Sequence, residues 1–397
     1  MSKYKISFWN YERTGVWDES QAVRDWKEAG INLAMTFEFN PEREDKARML
    51  RLLDECQKEG LQAIVCDERT TFYALRELGE EKFREGVQAA VADFGSHPAV
   101  YGFHVGDEPD ADAWEYAKKA FTIVRAAQPA LKPFINMNPT WLTPDFKDAM
   151  GTDLEGYKQK LIDFTRETGS EIVSFDCYTQ CMYNDVDFNR GEFVRNLRFF
   201  ADVAKATGAE LFVSVLSAGH WNYRVPTEDD IRWQINMSVA HGATGIFWFL
   251  FYQRFLDENY RGMPITMFGK RTQTYETLAY ENALFMRYFA EKLQHCKVED
   301  ISYYHKPYGG YPLFSGEYEL KSIDAIVNPS SVCVTRWRSD EGKICYTFVN
   351  VETDRPTRIK VVFEGALAAQ SRTIWLAPGQ LIYIDEKDMI PLVSYSA

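Results

Sequence analysis

From Lys5 to about Phe251 the chain repeats one pattern eight times: a short apolar, β-rich run, a polar loop, then a longer amphipathic stretch. The runs are Lys5–Asn10, Asn32–Phe39, Leu61–Glu68, Val100–Glu108, Lys132–Pro139, Ile172–Gln180, Glu210–Leu216 and Gly245–Tyr252. Several, such as Ile246–Tyr252 (IFWFLFY), are apolar on both faces, which fits parallel strands buried from both sides. Between them lie helical patterns. In 112–128, Trp114, Ala117, Phe121 and Val124 recur on one helical face. Ala29-Gly30, Glu59-Gly60, Thr168-Gly169 and Thr207-Gly208 set Gly just past a helix end, shortly before the next run. Eight such units over about 250 residues predict a (β/α)8 TIM barrel, closed by a last helix over 272–294. A doubly wound open sheet is the rival. It fits less well because Asn10-Tyr11-Glu12-Arg13, after the first run, is no Gly-rich phosphate loop.

After Cys296 the pattern changes to short alternating segments: 331–338, 343–349, 357–363, 371–375 and 381–385. Turn signals separate them, Ser339-Asp340-Glu341-Gly342 and Pro378-Gly379 among them. They predict a small C-terminal antiparallel β-sandwich over 296–397, behind a catalytic barrel over 1–295. The sandwich holds no catalytic-looking cluster and is expected to brace the barrel.

With 45 basic and 58 acidic residues in 397, the net charge of −13 disfavours a nucleic-acid binder and an anionic membrane surface. No run approaches the ~20 apolar residues of a membrane helix. The seven cysteines are odd in number and scattered through apolar stretches, which suits buried thiols in a reducing compartment. The start, MSKYKISFWN, has no signal-peptide core, so a cytoplasmic location is expected. A chain already relieved of a leader would read the same, and secretion is the alternative.

In such a barrel, functional groups gather at the C-terminal ends of the strands. Those ends carry carboxylates, aromatics and amides: Glu38, Asp67-Glu68, Asp107-Glu108, Asn136-Met137-Asn138, Asp176-Cys177-Tyr178, His220-Trp221 and Trp248. Acids and amides take hydroxyls while rings stack on sugar faces, so a neutral small-molecule or oligosaccharide substrate is expected. Any single one apart from Glu108 could be a satisfied structural group, and it is the set that carries weight. Val105-Gly106-Asp107-Glu108-Pro109 is the most specific signal. Pro109 ends the strand, leaving both acids at the mouth, where apolar walls raise a carboxyl pKa as a general acid requires.

That GDEP motif, Phe175-Asp176-Cys177-Tyr178 and Ala240-His241-Gly242-Ala243-Thr244-Gly245-Ile246 resemble retaining glycoside hydrolases of the clan A superfamily, most nearly the family 42 β-galactosidase-like barrels. The resemblance implies an acid/base role for Glu108, with Asp107 standing where many members carry Asn. It also implies that Trp248 forms the floor under the cleaved sugar. One departure matters. The clan's nucleophilic glutamate ends the seventh strand, and Phe212–Trp221 (FVSVLSAGHW) holds no carboxylate. Glu228, the next acid, reads as the first turn of a helix. Asp176 is therefore the expected partner of Glu108, with Glu38 and then Glu68 behind it. Asp107, Glu38, Asn138, Tyr178, His220, Trp221 and Trp248 are the expected sugar contacts.

No Gly-x-Ser-x-Gly elbow, Walker loop or His-Glu-x-x-His is present, and no His/Cys set has zinc spacing. No metal or cofactor is expected. Two alternatives stay open: a barrel that binds carbohydrate without cleaving it, and a lyase or isomerase using His104 or His220 as base.

Overall fold

The computed structural model describes residues 3–253 and 259–390. Eight parallel strands alternate with helices: β1 (Lys5–Phe8), β2 (Leu33–Met35), β3 (Gln62–Val65), β4 (Val100–Asp107), β5 (Phe134–Asn136), β6 (Ile172–Asp176), β7 (Glu210–Leu216) and β8 (Ala243–Phe249). They form two four-stranded sheets, ordered β1-β8-β7-β6 and β2-β3-β4-β5. At one junction Met137 N donates to Ser174 O at 2.9 Å; at the other Asn32 N donates to Ile6 O at 3.1 Å. Alternation sorts the side chains. Ile6, Phe8, Val105, Phe175, Val215 and Trp248 pack outward against helices, while Trp9, Met35, Phe134, Ile172, Phe212 and Phe247 pack together on the opposite face. The helices end at Gly60, Gly169 and Gly208. The closing segment is helical over Gln273–Phe285, loosens to a π-turn over Met286–Ala290, and resumes as a short turn.

From Cys296 the strands turn antiparallel: β9 (Cys296–Tyr304), β10 (Leu320–Val327), β11 (Val332–Ser339), β12 (Ile344–Asn350), β13 (Thr357–Phe363), β14 (Arg372–Leu376), β15 (Leu381–Ile384) and β16 (Met389–Ile390). They form sheets ordered β10-β13-β14 and β16-β15-β12-β11-β9, with Leu320, Val334, Phe348, Ile359 and Ile374 in one apolar cluster. These sheets lie on the helix Glu228–Ala240. Trp233 Nε1 donates to Val351 O at 2.9 Å, Asn236 Nδ2 to Gly379 O at 2.9 Å, and Arg190 pairs with Glu352 at 2.6 Å. That helix is covered on both sides, which is why Trp233, Gln234, Asn236 and Met237 are all buried. All seven cysteines are buried free thiols. No described helix is long and apolar enough to cross a membrane.

Candidate active site

The last residues of β4 make an irregular exit. The β4–β5 register shifts between His104 and Gly106, and Gly106 takes φ +149° with the Phe72 ring so close that a Cβ would lie 2.3 Å from it. Glu108 follows at φ +45°, a left-handed conformation that costs a non-glycine residue about 1–3 kcal/mol. Its N–H donates to Asn136 O at 3.0 Å. This turn swings Glu108 over the strand ends, where its carboxyl meets that of Asp176 at the end of β6 in a hydrogen bond.

Asn136 ties the acids together. Its Nδ2 donates to Asp107 Oδ1 at 3.1 Å and to Asp176 Oδ1 at 2.9 Å. Ser174 Oγ donates to Asn136 Oδ1 at 3.0 Å, which fixes which way the amide points. Tyr11 donates to Asp107 and Tyr178 to Asp176. Both phenols are held well above their ordinary pKa by burial and the neighbouring carboxylates, so they remain donors.

Three carboxyls in one group cannot all ionise. Glu108 is pushed up by the charge of Asp176, then by burial and Asp107. Asp107 is pushed up to about 7 by burial, then by Asp176, against the Asn136 and Tyr11 hydrogen bonds. Asp176 is also raised by burial but receives the Glu108, Asn136 and Tyr178 hydrogen bonds. At neutral pH the pair is a Glu108 carboxylic acid donating to an Asp176 carboxylate, one proton shared by two groups. Among the described residues no Lys or Arg pairs with any of the three.

Aromatic rings wall the group. Tyr178 stacks on Phe249 at 5.3 Å, and Phe249 lies 6.2 Å from Tyr11 and 5.1 Å from His220. His220 stacks on Tyr260 at 5.3 Å and lies 5.3 Å from Trp221. Beneath, His104 sits against Trp9 and Phe134 and is pushed down to about 4 by burial. A cavity of about 190 Å³ lies away from this site, among the antiparallel strands beside Tyr318 and Arg336.

Of the residues expected from sequence, Glu108, Asp107, Asp176 and Tyr178 come together, with His220 and Trp221 along the aromatic wall. Asn138 supports them from outside, its Nδ2 donating to Pro109 O at 3.3 Å. Glu38 lies beside Arg13, the two joined by a backbone bridge, and its charge acts on Arg13 and Cys66. Glu68 also pairs with Arg13, at 3.4 Å, and Glu228 pairs with Arg232 on the helix surface. Trp248 requires a correction. It is fully buried in the helix layer, with Nε1 donating to Asn282 Oδ1 at 3.2 Å. One residue along a strand reverses the face, so the ring at the mouth is Phe249. Asn136, Tyr11 and Phe249 are the participants that sequence reasoning passed over. The stretch Asn136-Met137-Asn138 carries the signal, since Asn136 and Asn138 share a face and only Asn136 is still in the strand.

No family model matches the chain, and no curated protein is similar to it. Its fold is similar to those of solved glycosidases. The β-galactosidase from Rahnella sp. R3 matches with a TM-score of 0.56 at 13% identity, over 75% of this chain and 58% of that one. The β-galactosidase from Bacillus circulans sp. alkalophilus gives 0.52 at 11%, over 72% and 56%. The endo-β-1,4-mannanase from Thermotoga petrophila gives 0.50 at 10%, over 96% and 98%. This chain thus spans little more than half the length of those β-galactosidases, and the likeness is one of fold.

Proposed function

We propose that the protein is a glycoside hydrolase acting on a neutral, β-linked carbohydrate, with Glu108 as general acid/base and Asp176 as the partner carboxylate. In this reading residues 1–295 form a closed (β/α)8 barrel, and 296–397 form a β-sandwich that braces the helix Glu228–Ala240. The carrying observation is the hydrogen bond between the Glu108 and Asp176 carboxyls beside the Tyr178–Phe249 stack. Glu108 keeps its proton at neutral pH and can give it to the departing glycosidic oxygen. Asp176 stays anionic under the Asn136 and Tyr178 hydrogen bonds, facing the positive charge that grows on the sugar carbon. Hydrogen-bonded carboxyls are closer than the ~5 Å of a retaining pair. The entering sugar therefore parts them, replacing Glu108's contact to Asp176 with one to the leaving oxygen. As for a lyase or isomerase, a histidine pushed down to about 4 is a poor base, which speaks against His104.

The test is hydrolysis of a panel of aryl glycosides. Glu108→Gln should lower turnover by about 10²–10⁴ on substrates with poor leaving groups and much less on activated ones, as for a lost general acid. Equal loss on both would overturn the role of Glu108. A wild-type protein that binds sugars yet cleaves none would favour the binding-barrel reading, which the acid-free end of β7 supports.

A further inference from the structure

Three large aromatic side chains stand exposed around the carboxyl pair: Tyr73 at 51%, Tyr183 at 66% and Trp221 at 61%. Scattered exposed rings are ordinary on a protein surface, so what marks these three is their place beside the carboxyl site. Each is held in place. Tyr73, in the first turn of the helix Phe72–Leu78, donates its hydroxyl to Asp107 O at 2.9 Å. Trp221 follows β7 with φ +42°, beside the His220 ring. Arg261 exchanges two backbone hydrogen bonds of 2.9 Å with Gly219 and donates from Nη2 to Tyr183 Oη at 2.9 Å. The Tyr183 and Trp221 loops are thereby fastened to each other.

The strand order sets these rings apart. Tyr73 leaves β3, the neighbour of β4, while Tyr183 and Trp221 leave β6 and β7. The pair is built by β4 and β6, so the rings lie on opposite sides of it. A site for a single terminal sugar needs a wall on one side. Here exposed rings follow strands on both sides.

We propose that the mouth binds a neutral β-linked carbohydrate chain lying across the acid pair, with Tyr73 under a unit on one side of the scissile bond and Trp221, with Tyr183, under units on the other. This rests on the glycosidase reading for the bond that is cut, but not for the binding itself. Exposed rings stack on pyranose faces, and the absence of any Lys or Arg pairing with these carboxyls among the described residues suits an uncharged chain.

The experiment titrates the Glu108→Gln protein, by calorimetry, with β-1,4-linked gluco- and manno-oligosaccharides and β-1,3-linked gluco-oligosaccharides of two to six units. In at least one series affinity should climb with length. Trp221→Ala and Tyr73→Ala should each weaken the longest oligomer by roughly tenfold, as for one lost aromatic contact, and flatten the length dependence. Tyr73→Phe, which keeps the ring, should retain affinity. Equal affinity for short and long chains, no effect of Trp221→Ala, or no binding at all would overturn the proposal. Failure of the glycosidase reading shows separately, as wild-type protein that cleaves no aryl glycoside; length-dependent binding lost with Trp221 would still support the platforms.

Discussion

Asp107 offers the sharpest test of the carboxyl cluster, because it needs no substrate. Its carboxyl rises from 3.8 to about 7 on folding, so over that range the folded protein holds a proton that the unfolded chain has released. Stability must then fall as pH rises. The penalty is absent below about pH 4, grows through the interval and is complete above about pH 7. Three pH units at 1.36 kcal/mol each give about 4 kcal/mol. Asp107→Asn keeps the shape and an acceptor for Asn136 Nδ2 and Tyr11, and it also removes a charge that raises Glu108. The variant should match the wild type near pH 4 and exceed it by up to about 4 kcal/mol at pH 8. For 397 residues at about 2.1 cal/mol/K each, that is roughly 5 °C in Tm. Thermal melts of both proteins in one-unit steps from pH 4 to 8 measure the difference directly. A difference that stays flat with pH, or that favours the wild type at pH 8, would refute the charge assignment.

The other expectations concern the parts that hold the acids. Asn136→Ala removes donors to two carboxylates, so the acid limb of the kcat/KM–pH profile should move up by about one pH unit; a lower rate with an unmoved limb would mean the amide serves only packing. Gly106→Ala puts a Cβ 2.3 Å from the Phe72 ring at φ +149°; urea unfolding should show a loss on the order of 2–4 kcal/mol, eased by adding Phe72→Leu.

The repeating units were legible because strand and helix periods are local, and Gly and Pro punctuate their ends. The β13 strand, Thr357–Phe363, falls within the bounds its alternation predicts. What was not legible depends on contacts between distant residues. Cys296–Tyr304 becomes a strand although its charged middle hides the alternation, because β11 offers it a full edge. Trp248 and Phe249 are both large aromatics at a strand end, and only the register against β1 and β7 decides which meets the mouth. Tyr11 lies in a loop with no motif of its own, and only the fold brings its hydroxyl to Asp107. The motif Gly106-Asp107-Glu108 was readable as a pair of acids. The turn that carries Glu108 onto Asp176 depends on Phe72 pressing against Gly106, a contact across more than thirty residues.

The acid-free end of β7 has a structural reason. Leu216 is gripped at both backbone groups by Gln234, its N–H donating to Oε1 at 2.8 Å and its carbonyl accepting from Nε2 at 2.9 Å. Ser217 Oγ then donates to Leu250 O at 3.1 Å, and His220 and Tyr260 fill the space beyond. A carboxylate added there would join three others with no Lys or Arg pairing with them among the described residues, and would be driven to its neutral form. On β6, by contrast, Asn136 and Tyr178 already supply donors to a negative charge. Under the proposed function, the anion facing the sugar belongs on β6 because the donors that keep it charged are there. Adding a glutamate at the end of β7 should therefore burden the site unless Asp176 is removed with it.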